Sequence, residues 1–255
     1  MKDSEQIRYV GKKKKSAAPM VGVGLFLMFC GGMAGYYIAN SAFFNLNSIE
    51  FRGLQSLDSA ALQELSGVVL GVNSLKIPAR EVEERIEINP FVKEAKVQLI
   101  LPAKLLITVT ERQPLAQVVL SDRVLAVSLD GVCLQRNLAV NPALPIITEA
   151  VIESEGNPGD RFTGDGLTAA LELIDRLDPY FLESIQEFRA SSSWELTLVT
   201  HQGVLVRFGP AENLERKLGY YETILLKNNS QYNGGTVEYV DLRYEAQPVV
   251  KKKSE

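Results

Sequence analysis

Twenty consecutive residues, 20–39, carry no charge, and this run limits the possible folds more than any other feature of the chain. At 1.5 Å per residue a helix of that length spans about 30 Å, the thickness of a bilayer's hydrocarbon layer. Lipid offers no partner to a bare N–H or C=O, so a lone span must be helical, even with Gly22, Gly24, Gly31, Gly32 and Gly35 in it. Lys2, Arg8 and Lys12 to Lys15 precede the run, and no Lys or Arg follows it until Arg52. That bias keeps the N-terminus cytoplasmic and sends the remainder across. Tyr36 and Tyr37 suit the outer interfacial belt. Gly31 and Gly35 have the G-x-x-x-G spacing that lets two membrane helices approach, though a merely glycine-rich span gives the same pattern. A cleaved signal peptide is the competing reading, since Ala39-Asn40-Ser41 before Ala42 loosely resembles a cleavage site. Signal peptides usually hold only about 7–15 apolar residues, which favours the span.

With 46% apolar and 23% charged residues, the 255-residue chain has enough material for one large globular domain or two modest ones. Six basic and two acidic groups give residues 1–19 a net +4; against −4 for the whole chain, residues 20–255 carry −8. That acidic remainder argues against nucleic acid as a partner. Cys30 falls inside the expected membrane helix and Cys133 outside it, so no disulfide between them is expected. Cys133 reads as a small buried strand residue.

Residues 45–114 give the order strand, helix, helix, strand, strand. Ile49 and Phe51 alternate with polar neighbours before Gly53. Asp58 is a plausible N-cap for a short helix with Ala61, Leu62 and Leu65 as its apolar stripe and Gly67 as its stop. Pro78 suits the first turn of a second helix, where Val82 and Ile86 stand one turn apart and Arg80 can pair with Glu84; Asn89-Pro90 closes it. Val97, Leu99 and Leu101, a turn, then Leu105, Ile107 and Val109 read as a hairpin.

From residue 115 to 247 strands dominate. Runs at 118–120, 124–127 and 132–134 are separated by Ser121-Asp122-Arg123 and Asp130-Gly131 turns, and another follows at 144–147. A helix with Leu167, Ala170, Leu171, Ile174 and Leu177 on one face comes next. Trp194, Leu196 and Leu198 share one parity, His201-Gln202-Gly203 turns the chain, and Val204, Val206 and Phe208 return. A helix over 211–228 follows, with Leu214, Leu218, Tyr221 and Leu225 as its core stripe, then a Val- and Tyr-rich run at 236–244 and a basic tail over 248–255. The predicted class is α+β, with one N-terminal transmembrane helix and a mainly antiparallel second domain.

No catalytic constellation is visible. His201, the single histidine, lies at a hairpin tip, and one histidine with two separated cysteines cannot supply the ligands of a zinc site. Residues 159–165 have the outline of a phosphate loop, but Asp165 stands where lysine should be, and Phe162 occupies a ligand position of a calcium loop. No G-x-S-x-G elbow occurs, and Glu83-Glu84 reads as a solvated helix face. These absences point to a binding protein with no enzymatic turnover, no cofactor and no small-molecule substrate.

The strand-helix-helix-strand-strand unit after a membrane helix resembles a polypeptide-transport-associated (POTRA) domain. The junction Glu111-Arg112-Gln113-Pro114-Leu115-Ala116 is similar to the E-R-x-P-x-A motif of the FtsQ/DivIB family of bacterial cell-division proteins. Asn89-Pro90-Phe91-Val92, Leu129-Asp130-Gly131 and Val240-Asp241-Leu242-Arg243-Tyr244 extend the likeness over nearly the whole chain. The resemblance implies a bitopic divisome scaffold in the plasma (inner) membrane at the septum, with a POTRA domain and a β domain beyond it. It also implies an edge at Arg243, Tyr244, Glu245, Ala246 and Gln247 that bitopic coiled-coil partners of the FtsB and FtsL type join. An edge strand leaves backbone donors and acceptors for an added strand, and Pro248 with Lys251 to Lys253 would limit unwanted pairing beyond it. A short cytoplasmic tail and the lack of a long C-terminal extension set the chain apart from some family members. Two alternatives are weaker: a POTRA-containing secretion or envelope-assembly component, for which barrel strands are missing, and a secreted cell-wall hydrolase, for which catalytic groups are missing.

Overall fold

The computed structural model describes residues 18–137, 139–226, 237–244 and 247–253. Residues 1–17 of the expected tail over 1–19 and the candidate residues Glu245 and Ala246 lie outside the described residues, and residues 18 and 19 belong to the first helix. Two compact units are present, one formed by the described part of Met1–Glu50 with Val69–Pro78 and Gln98–Leu106, the other by Phe51–Val68, Ala79–Val97 and the described part of Ile107–Glu255.

The first unit opens with α1 (Ala18–Ala39), which contains the uncharged run. Among the described residues it is the one helix long and apolar enough to cross a membrane, and none of its apolar window is buried. A short 3-10 turn at Ala42–Phe44 follows. Leu46 then accepts from the Gly71 N–H and donates to the Val72 carbonyl, both at 2.8 Å. Asn73 Nδ2 donates to the Ala39 carbonyl at 2.7 Å, which satisfies one of the last acceptors of α1. Among the described residues of this unit the buried apolar ones are Leu46, Ala103, Leu105 and Leu106.

From residue 48 to 111 the order is β1 (Ser48–Arg52), α2 (Ser59–Ser66), α3 (Ala79–Ile86), β2 (Val92–Ile100) and β3 (Lys104–Glu111), with sheet order β1-β3-β2. The expected strand and helix sequence is thus present. Asp58 accepts from the Ala60 N–H as an N-cap, and Gly67 ends α2 in the left-handed region at φ 65°. The apolar stripe of α2 differs from expectation, because Leu62 is buried while Ala61 and Leu65 are exposed. Ser66 takes the second buried place, since its hydroxyl donates to Gln63 O and accepts from Val68 N. On α3, Val82 and Ile86 are buried and Arg80 pairs with Glu84 at 3.0 Å. Glu83 does not simply face solvent: its carboxylate accepts from Val97 N at 2.8 Å, as Glu87 does from Ala95 N at 2.9 Å. These two carboxylates satisfy donors along β2. Leu105, Ile107 and Val109 are buried on β3 as their alternation predicts, whereas Leu101 is exposed in the turn.

The larger sheet lies wholly in the second unit. Its strands are β4 (Pro114–Val119), β5 (Val124–Ser128), β6 (Cys133–Arg136), β7 (Ile146–Thr148), β8 (Ile185–Arg189), β9 (Thr197–Thr200), β10 (Leu205–Arg207), β11 (Val237–Asp241) and β12 (Val249–Lys252). Their order is β12-β11-β10-β9-β8-β7-β4-β5-β6, with five antiparallel pairings and three parallel ones. Between β7 and β8 run α4 (Asp165–Arg176) and the single turn α5 (Pro179–Leu182), and α6 (Leu214–Tyr221) follows β10. The face predicted for α4, Leu167, Ala170, Leu171, Ile174 and Leu177, is buried in one core with Val118, Leu125, Ile147 and Phe188.

Four features depart from the sequence reading. Strand β8 was not anticipated, because a bulge between Ile185 and Glu187 puts the buried Ile185 and Phe188 three residues apart and breaks the period of two. Trp194 precedes β9 and is 69% exposed, so it does not share the buried face of Leu196 and Leu198. The predicted helix over 211–228 is α6 followed by a π turn at Glu222–Leu226, with residues 227 and 228 outside the described residues. Finally, the expected basic tail contains β12.

Candidate protein-binding edge and the junction motif

Strand β11 is parallel to β10, with Arg207 opposite Asp241, and antiparallel to β12, with Val240 opposite Val250 and Asp241 opposite Val249. Among the described residues β12 therefore ends the sheet, with a strand neighbour on one side only. The opposite margin is covered: Cys133 N donates to Asp160 O and Gly159 N to Cys133 O, both at 2.8 Å, while Phe162 N donates to Gly131 O at 2.9 Å. That loop forms the lid over β6 that edge strands need to avoid indiscriminate pairing.

The D-L-R-Y residues stand at the turn out of β11. Asp241 is buried and accepts from three donor atoms of Arg243, its backbone N at 3.1 Å, Nε at 3.0 and 3.2 Å and Nη2 at 2.6 Å. Partial burial pushes the Asp241 carboxyl upward, but the Arg243 hydrogen bonds and charge outweigh it and hold the group below its ordinary range. The same bonds raise Arg243. Leu242 is buried and its N–H donates to Arg207 O at 2.9 Å, extending the β10 register by one residue. Tyr244 is 61% exposed, with the Arg243 guanidinium 5.8 Å from its ring centroid. Gln247 is exposed. The sequence reading placed the edge at residues 243–247, whereas Arg243 and Tyr244 belong to the connection and the outermost strand is Val249–Lys252. Two valines flanked by Pro248 and lysines read as a tail because the strand is only four residues long. Lys251 of β12 reaches Glu238 of β11 at 2.9 Å, and the cations of Arg207 and Lys251 lie 4.9 and 5.8 Å from the Tyr239 ring centroid.

Sequence inspection also missed Lys217 of α6. It is buried, and its ammonium donates to the carbonyls of Phe208 (2.8 Å) and Pro210 (2.7 Å) while burial lowers its pKa. It ties α6 to the end of β10. A lysine between Arg216 and Leu218 carries no sequence mark that would distinguish this role from a solvated one.

The junction motif has a definite geometry. Glu111 closes the loop after β1 by accepting from the N–H groups of Gln55 (2.8 Å), Ser56 (3.0 Å) and Leu57 (3.1 Å) and from the Ser56 hydroxyl (2.7 Å). Desolvation opposes its ionisation, but these bonds win and hold its pKa at about 2. Arg112 makes a second centre: Nε donates to Asp130 at 3.1 Å, Nη1 to the carbonyls of Pro90 (3.0 Å) and Val92 (2.5 Å), and its backbone N to Phe91 O (2.7 Å). Asp130 also accepts from Ser128 (2.7 Å) and Arg161 (3.2 Å). Burial pushes the Asp130 carboxyl up, and the Ser128 and Arg112 hydrogen bonds bring it below its ordinary range. Three motifs distant in sequence, N-P-F-V, E-R and L-D-G, thus converge on one guanidinium. Pro114, two residues on, begins β4.

That convergence agrees with comparisons to known proteins. Residues 44–112 match the POTRA domain, FtsQ-type, and residues 118–243 match the C-terminal domain of cell division protein FtsQ/DivIB. The chain is 30% identical over 260 residues to cell division protein FtsQ of Geotalea daltonii, covering 98% of this chain and 92% of that one. It is 29% identical over 255 residues to cell division protein FtsQ of a Geobacter species, covering 96% and 88%. To cell division protein DivIB of Clostridium botulinum it is 22% identical over 252 residues, covering 94% and 93%.

The chain belongs to the FtsQ/DivIB family of cell-division proteins.

With α1 as its one membrane-crossing candidate among the described residues, it is a single-pass membrane protein of the division machinery that acts with other division proteins. FtsQ/DivIB is a non-enzymatic cell-division family. Gly31 and Gly35 lie within α1, and apart from the helix's own backbone no described atom lies within 4 Å of where a Cβ would stand.

Proposed function

We propose that this chain is a divisome scaffold that works by binding, without turnover, and links septal membrane proteins by adding a strand from FtsB/FtsL-like bitopic coiled-coil partners to the β12 margin of its large sheet. The observation that carries this reading is the asymmetry of the sheet: among the described residues β12 has a strand neighbour on one side only, whereas the β6 margin is covered by the 157–162 loop. An extended partner segment beside β12 would gain main-chain hydrogen bonds, and Arg243, Tyr244 and Gln247, with Glu245 and Ala246, would contact its side chains. Lys251 pairs with Glu238, yet the run Lys251 to Lys253 still leaves this margin positive, which favours a partner strand that carries acidic residues. The POTRA region and the β domain act as separate modules, with α1 setting location, the basic N-terminus cytoplasmic and the folded remainder outside, at the division septum. Gly31 and Gly35 offer a place for a partner's membrane helix.

The test is co-purification of the full chain in detergent with co-expressed FtsB- and FtsL-type proteins. Tyr244→Pro and Lys251→Glu are expected to reduce recovered partner at least about tenfold, the loss that one or two hydrogen-bonded contacts imply. Unchanged recovery with both variants would remove the edge mechanism while leaving family membership intact.

A further inference from the structure

We propose that the uncharged loops gathered around the end of α1 are seated in the outer interface of the lipid bilayer, so that the first unit holds a second membrane contact beside the span itself. The inference rests on the reading that α1 crosses the bilayer. Three segments of the first unit carry it, and each lacks Asp, Glu, Lys and Arg: residues 16–49, 69–75 and 98–103.

These segments are joined to one another within a few residues of Ala39. Asn73 Nδ2 donates to Ala39 O at 2.7 Å, and Asn45 and Asn73 form an isolated β-bridge. Leu46 exchanges backbone bonds with Gly71 and Val72. Asn47 N donates to Ala103 O at 2.7 Å, and Ser74 Oγ to Pro102 O at 2.9 Å. On this hydrogen-bonded frame Phe43, Val69, Leu70, Val72, Leu75 and Leu101 are exposed, Val69 to 66% and Leu101 to 60%. The charged residues that the unit does have outside the tail are Glu50 and Lys104, which pair with each other, and Lys76.

Large side chains on uncharged, fixed loops are unfavourable in water and mark a surface with a partner. Here the chain itself says which partner is at hand. Tyr36 and Tyr37, the interfacial belt of the span, lie a few residues before Phe43, and the Asn73 bond holds the 69–72 loop at the helix end. Apolar groups so tethered are already at the bilayer surface, where side chains of this kind bury about 5–10 Å into the headgroup and acyl boundary. The absence of charge removes the penalty that would keep such loops in water.

The experiment uses the full chain with Trp194→Phe, reconstituted in phosphatidylethanolamine and phosphatidylglycerol vesicles with brominated acyl chains. One tryptophan is introduced at a time, by Val69→Trp, Leu101→Trp or Tyr37→Trp. All three indoles are expected to lose about half of their emission or more to the bromolipid, and to be shielded from iodide, as interfacial burial requires. Quenching at position 37 with none at 69 and 101 would overturn the proposal and leave the rim to a membrane-protein partner, which would then shield it from iodide on co-expression. No quenching at position 37 would mean that α1 does not span, and would overturn both readings together.

Discussion

Glu111→Gln isolates the charge of the junction carboxylate while nearly preserving its shape. In the wild-type chain Oε1 accepts from the N–H groups of Gln55 and Leu57, and Oε2 from the N–H and hydroxyl of Ser56. A carboxamide keeps one acceptor and turns an NH2 group toward the Ser56 N–H, so one backbone bond is lost and the others lose charge assistance. A pKa of about 2 against the ordinary 4.5 sets a ceiling of about 3 kcal/mol on the carboxylate's contribution, and solvent access reduces it to about 1–2 kcal/mol. Because the folded-state pKa is depressed, this contribution is fully present above pH 4.5 and is lost as the pH falls through about 2. Hydrogen exchange followed by mass spectrometry on the full chain in detergent reads it locally. At pH 7 the amides of residues 55–57 in the variant should exchange about 5–30-fold faster than in wild type. That ratio should narrow as the pH is brought from 4.5 to 2. Equal protection at pH 7, or a gap that persists unchanged at pH 2, would refute the account of the Glu111 bonds.

Arg112→Met should destabilise the second unit by about 2–4 kcal/mol, seen as a lower urea midpoint by circular dichroism, because it leaves Asp130 and the Pro90 and Val92 carbonyls short of a donor. Arg112→Lys should recover only part of this, since an ammonium cannot reproduce the planar fork. Gly53→Ala should cost at least about 2 kcal/mol in the same assay: Gly53 has φ 83° and an added Cβ would collide with the Val109 carbonyl.

Much of the fold was legible because its signals are local. The uncharged run, the Asp58 cap, the α4 stripe and the β3 alternation each depend on residues within a few positions of one another, and burial follows the last two. The motif residues were legible as a set, but their purpose was not. Asn89-Pro90, Arg112 and Asp130 are separated by about twenty residues at each step, and only folding brings their carbonyls and carboxylate to one guanidinium. Strand β8 escaped because a bulge displaces its period, and β12 because a four-residue strand derives its identity from β11 rather than from its own composition. The buried amine of Lys217 likewise has meaning only beside the Phe208 and Pro210 carbonyls. By itself the sequence determined that a lone helix must hold residues 20–39 and that an α+β remainder follows, since hydrophobic period and charge act at short range. Tertiary structure alone decided which strand ends the large sheet among the described residues, which margin a loop covers and which loops gather at the end of α1, because all three depend on hydrogen bonds between segments that no local pattern relates.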